Sequence, residues 1–141
     1  MSDEVKVGTC GFDHVGLSVR DLAISRKFFC DCLGWRVVGE RPDYPAAFVS
    51  DGHCVLTRWE VASPDMAIAF DRRANVGLHH LALAVADRAG LDALYQRVSG
   101  WPDVVVEFAP QLSVSSSKIH FVVYEPGGVR DPRLEGVRKA G

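Results

Sequence analysis

Two histidines, His14 and His80, stand in nearly the same surroundings. The first lies in "FDHVGLSVRD" (residues 12–21) and the second in "LHHLALAVAD" (residues 78–87), and the interval between the histidines equals that between the closing aspartates, Asp21 and Asp87. A neutral imidazole is a good ligand for a divalent transition metal and a serviceable acid or base near neutral pH. A single strand histidine is usually satisfied by a backbone carbonyl, but a matched pair favours a shared chemical role. Further candidates lie downstream. His120 and Tyr124 share one face of "KIHFVVYE" and read equally as acid, base or hydrogen-bonding groups in a pocket, or as packing residues on the other face. Thr57 and Trp59 alternate together in "HCVLTRWEV" and can line a substrate pocket, with core packing an equal reading for the tryptophan. His79 has the opposite parity to His80 and is expected at the periphery, while His53 follows a "DG" turn and is expected to be exposed.

These side chains need elements to position them. From Phe12 to Arg20, His14, Gly16 and Ser18 alternate with Val15, Leu17 and Val19, the period-2 pattern of a strand with one face in a core. His80, Ala82 and Ala84 alternate with Leu81, Leu83 and Val85 in the same parity. Small residues beside each histidine leave space in front of it. Each strand leads into a helical pattern, "DLAISRKFFCDCLG" with Gly34 as its stop and "DRAGLDALYQRVSG" with Gly100. Three short strands follow in each copy: "WRVVGER", "AAFVS" and "HCVLTRWEV" in the first, "DVVVEF", "KIHFVVYE" and a segment around "VRDPRLEGV" in the second. Gly127 and Gly128 read as a turn needing positive φ, with no helix behind them to make a phosphate cradle. The fold class predicted is α+β: two βαβββ modules, about 12–61 and 78–137, joined by a linker over 62–77. They form a cupped, mostly antiparallel eight-stranded sheet with the helices outside, because one helix cannot cover a four-stranded sheet on both faces.

Length and composition set the remaining limits. A chain of 141 residues is about one domain, so the duplication must be built into a single fold. With 48% hydrophobic and 24% charged residues and a formal net charge of −2, neither disorder nor a nucleic-acid-binding surface is indicated. No apolar run approaches the roughly 18 residues of a membrane span, and the N-terminal residues do not resemble a secretion signal, so a cytoplasmic protein is expected. Cys10, Cys30, Cys32 and Cys54 show no C-x-x-C spacing and are expected to be free, mostly buried thiols.

The stretches "DHVGLSVRDLAISRKFFCDCLGW", "LHHLALAVAD" and "FVVYEPGG" resemble, in that order and spacing, the vicinal oxygen chelate superfamily, which holds glyoxalase I, bleomycin-resistance proteins and extradiol dioxygenases. Glu125 stands where that family usually has aspartate. The resemblance implies a divalent metal ion (Fe, Mn, Zn, Ni or Co) held by His14, His80 and a carboxylate, with Glu135 preferred and Asp131 the other candidate. Glu135 is then a catalytic candidate beside Tyr124 and His120, with Thr57 and Trp59 as the candidate pocket, those four resting on strand alternation as above. The family's fourth-strand ligand falls on Leu56 or Thr57, neither a good ligand, and its last glutamate falls by simple counting on Pro132. The implied activity is a lyase- or dioxygenase-like reaction on a small-molecule substrate that chelates the metal through neighbouring oxygens, in a homodimer. The alternatives are a metal-free drug- or aromatic-binding protein of the bleomycin-resistance type and a structural subunit with a degenerate site.

Overall fold

Asp21 and Asp87, the paired aspartates of the repeat, are helix N-caps. The Asp21 carboxylate accepts a hydrogen bond from the Ile24 amide and the Asp87 carboxylate one from the Gly90 amide, each satisfying a backbone donor that the first helical turn leaves unpaired. They open α1 (Leu22–Lys27) and α2 (Arg88–Ser99) directly after β1 (His14–Val19) and β5 (His80–Val85). The first module continues with β2 (Arg36–Arg41), β3 (Ala46–Ser50) and β4 (Val55–Glu60), the second with β6 (Val105–Leu112), β7 (Ile119–Tyr124) and β8 (Arg133–Arg138). These ranges come from a computed structural model that describes residues 3–114, 117–127 and 133–138.

The eight strands divide into two four-stranded sheets of the same topology, ordered β1-β4-β3-β2 and β5-β8-β7-β6. In each, the first strand runs parallel to the fourth and the other pairings are antiparallel. The architecture is α+β, two βαβββ modules with each helix on the face of its sheet opposite the histidines. Burial follows the predicted parity. Leu17 and Val19 are buried while His14, Gly16 and Ser18 are exposed, and Leu81, Leu83 and Val85 are half-buried while His80, Ala82 and Ala84 are exposed.

The first helix does not run regularly to its stop. Phe28–Cys32 forms a π-helical turn, and the residue it absorbs lets the consecutive Phe28 and Phe29 both enter the core. Gly34, at φ 76°, ends the segment. The core is continuous across the modules: Phe29, Trp35 and Leu56 from the first belong to one buried cluster with Leu91, Phe121 and Leu134 from the second. Cys32 is buried in it, and its carbonyl accepts a hydrogen bond from Arg97 of α2. The four cysteines are free, as expected, but of them only Cys32 is buried; Cys30 and Cys54 are half-buried and Cys10, which precedes the first strand, is exposed.

Polar groups also cross the boundary. Arg58 of β4 is wholly buried and forms an ion pair with Glu125, which follows β7. The Ser25 hydroxyl donates to Glu125 and accepts from Arg58 Nε, each at 3.1 Å, and the guanidinium lies 4.9 Å from the centroid of the Phe29 ring. Burial pulls the Arg58 pKa below its ordinary value, opposed by the Glu125 carboxylate. Beside this group the Gly127 carbonyl accepts from the amides of Arg20 and Asp21. Gly127 does not have the positive φ expected of it; the glycine is required because a side chain there would run into the backbone of Ser25. Gly128, Asp131 and Pro132 lie outside the described residues. Gly127→Ala is expected to cost about 2 kcal/mol, as overpacking in a well-packed region does, measured as a lower urea midpoint at unchanged slope.

Candidate active site

The parallel pairing of β5 with β8 sets Ala82 opposite Glu135, so Glu135 lies on the neighbouring strand two residues along from His80 and on the same face. Glu135 Oε2 is 3.4 Å from His80 Nε2, and Glu135 Oε1 accepts a hydrogen bond of 2.5 Å from His120 Nδ1. One carboxylate thus lies between two imidazoles. Its side chain is 14% exposed against 44% for that of His80, so the carboxylate sits inside and the His80 ring nearer the mouth. The three residues line a cavity of about 560 Å³ with His79, Phe108 and Arg133. The Phe108 and His120 rings lie 4.9 Å apart and close one side.

His79, expected at the periphery, lines the same cavity, and its Nδ1 is 2.9 Å from that of His80. The strand begins at His80, so alternation does not constrain the residue before it. Two ring nitrogens at that distance require one to donate and the other to accept. Reduced hydration, then the positive charges of Arg133, His80 and Arg72, hold the His79 pKa below the ordinary histidine value, which favours a neutral ring.

Tyr124 does not line the cavity. It shares the parity of His120 but lies four residues further along β7. At the rise of a strand that is about 13 Å, too far for the two to meet one substrate atom. His14 sits in the other module, its Nδ1 2.7 Å from the Asp13 carboxylate. It shares with His80 a second cavity, of about 490 Å³, lined also by Phe12, Cys54, Leu78 and Leu83 at the adjoining edges of the two sheets. His80 therefore belongs to both cavities, while His14 makes no described contact with Glu135. His53 is exposed in its turn, as expected.

Strand register resolves the choice between Leu56 and Thr57. Gly16 lies opposite Thr57 in the first module as Ala82 lies opposite Glu135 in the second, so Thr57 is the counterpart of the carboxylate, and Leu56 is buried in the core. The Thr57 hydroxyl accepts a 2.9 Å hydrogen bond from Trp59 Nε1, and the indole packs against Tyr44 and Phe48 at centroid distances of 5.0 and 5.6 Å. A Cβ on Gly16 would lie 2.9 Å from that hydroxyl, which accounts for the glycine. Thr57 and Trp59, expected to line a substrate pocket, line neither cavity above; their polar atoms are committed to each other and their apolar ones to an aromatic cluster.

Among the described residues, no three His, Cys, Asp or Glu side chains are arranged to hold a metal ion. The donor chemistry nevertheless fits in part. An imidazole and a carboxylate within 3.4 Å of each other are two suitable first-row metal ligands, and His14 borders the cavity that His80 also borders. Among the described residues no helix is long and apolar enough to cross a membrane.

Comparison with known proteins gives a consistent outcome. The sequence profile of the Glyoxalase/Bleomycin resistance protein/Dioxygenase superfamily matches residues 11–130. Catechol-2,3-dioxygenase of Bacillus subtilis (strain 168) is 32% identical over 88 residues, which is 60% of this chain and 30% of that protein, so the chain spans under a third of that relative. Among solved structures, a glyoxylase/bleomycin resistance protein/dioxygenase domain from Frankia sp. EAN1pec aligns with a TM-score of 0.72 at 23% identity, covering 94% of each chain. Lactoylglutathione lyase from Agrobacterium tumefaciens aligns with a TM-score of 0.69 at 18% identity over 94% of this chain and 96% of that one. At such identities the structural likeness speaks for the fold.

Proposed function

The chain belongs to the Glyoxalase/Bleomycin resistance protein/Dioxygenase superfamily, and on that premise we propose that it is a metal-dependent enzyme, dioxygenase- or lyase-like, acting on a small molecule with neighbouring oxygens. The observation that carries this reading is the meeting of His80, Glu135 and His120 in one cavity. His80 and Glu135, with His14 as the third ligand, would hold a divalent ion such as Fe, Mn, Zn, Ni or Co. When bound, that ion supplies Lewis acidity to the substrate oxygens.

The remaining work falls to the chain's own groups. Glu135 as a carboxylate only accepts hydrogen bonds, so His120 donates through Nδ1, and its neutral form would keep a lone pair on Nε2 that can take a proton from a substrate hydroxyl. Phe108 and the small residues of β5 give the substrate body an apolar bed that excludes water. A homodimer accords with the large apolar side chains left exposed at either end of the first module, Val5, Val7 and Phe12 before it and Met66, Ile68 and Val76 after it, which a second copy would cover.

Metal analysis of protein prepared without a histidine tag tests the reading. About one equivalent of divalent ion per chain is expected, lost in both His80→Ala and Glu135→Ala. Protein that stays folded and metal-free after incubation with each of the five ions would instead favour a metal-free binding protein, the reading supported by Thr57 standing in the counterpart position of Glu135 and by the lack of a three-donor group among the described residues.

A further inference from the structure

We infer that the cavity of the second module takes a small acid, with its carboxylate bound by Arg133 and its oxygenated end beside His80 and Glu135. The inference rests on the reading of this cavity as the substrate site and adds a substrate class to it. Arg133 is the first residue of β8, opposite His80 in the parallel register, and its side chain lines the cavity. Its Nε lies 2.6 Å from Glu107 Oε2 in an ion pair, and no hydrogen bond of its terminal nitrogens is seen among the described residues. A guanidinium paired through its Nε side keeps a planar pair of terminal donors that matches a carboxylate in two parallel hydrogen bonds.

The surrounding charge favours an anion. Glu107 is shared, its other oxygen 2.9 Å from Arg72 Nη1, so one carboxylate faces two guanidinium groups. Burial alone would raise the Glu107 pKa, but the hydrogen bonds and positive charges of Arg72 and Arg133 outweigh it and hold the carboxyl below its ordinary value. Lys118 lines the opposite end of the cavity, and Glu135 is the one carboxylate among the described lining residues. In a chain with a formal net charge of −2, the wall of this cavity thus carries the Arg133 guanidinium at one end and the Glu135 carboxylate further in.

Distance narrows the class. Arg133 and Glu135 are two residues apart on β8. That separation is about 7 Å at the rise of a strand, which a benzene ring with a substituent at each end spans. The apolar side of such a ring would lie over Ala82 and Val122 and against Phe108. An aromatic acid whose neighbouring oxygens lie across the ring from its carboxylate meets these constraints.

The probes are 3,4-dihydroxybenzoate and 3,4-dihydroxybenzamide, which share their oxygens and differ in charge. Binding to chelator-treated protein, followed through the backbone amide resonances of β7 and β8, is expected to be about tenfold tighter for the acid. Arg133→Gln should abolish the preference. Glu107→Gln, which removes the competing carboxylate, should widen it, and this variant carries the test should Arg133→Gln not fold. Equal binding of the two probes, or a preference that survives Arg133→Gln or shrinks in Glu107→Gln, would overturn the inference. Because no metal is present, a chain that discriminates the probes but takes up no ion refutes the metal reading alone, and a chain that binds an ion without discriminating refutes the acid site alone.

Discussion

Replacing Arg58 with methionine while Glu125 remains is expected to destabilise the fold by about 3–5 kcal/mol, the range for stranding one member of a buried ion pair. Both side chains are almost fully removed from water, at 1% and 2% exposure, so the remaining carboxylate would lose its counter-charge without regaining solvent. Ser25 and the Gly127 amide would still donate to it, and two such hydrogen bonds do not replace a guanidinium. Urea unfolding should show a much lower midpoint. The double variant Arg58→Met with Glu125→Leu should recover a large part of the loss, since apolar residues of similar size often replace a buried pair at little net cost. A single variant as stable as the parent would show that the pair contributes nothing to joining the modules.

His120→Asn is expected to lower turnover by about 10²- to 10⁴-fold, the span usually contributed by a positioned general base, while leaving the metal content unchanged. Asparagine keeps a donor toward Glu135 but has no basic nitrogen to accept a proton. Glu135→Gln differs in kind, because it removes a ligand charge as well as the group that orients His120, and it should lose metal and turnover together. The contrast is read by measuring metal stoichiometry and kcat on the same preparations. Equal turnover in His120→Asn and parent would remove His120 from the chemistry.

The parts of this arrangement that were legible in the sequence are those governed by local periodicity. Alternation along β1 and β5 put His14 and His80 on the small-residue faces, and the paired aspartates marked where each helix starts. His79 escaped because alternation says nothing about a residue outside the strand. The identity of Thr57 as the counterpart of Glu135 required the strand register, which becomes definite once β1 is laid beside β4 and β5 beside β8. The Arg58–Glu125 pair joins residues far apart in the chain and leaves no local trace; an arginine on the core face of a strand is legible as an oddity, but its partner is not. The place of Tyr124 is not legible from alternation either, since two residues that share a face of a strand can lie at opposite ends of it, as His120 and Tyr124 do in β7.

The replacement of one carboxylate by Thr57 has a consequence for how a ligand can lie. A scaffold with two equivalent halves offers a near-symmetric molecule two opposite orientations, which differ in energy only as far as the halves differ. With Glu135 on one side and a hydroxyl already bonded to an indole on the other, that degeneracy is lifted: of these two matched positions, only that of Glu135 offers a carboxylate to an acidic proton or a cation. The repeat supplies the frame, and its broken equivalence supplies a direction.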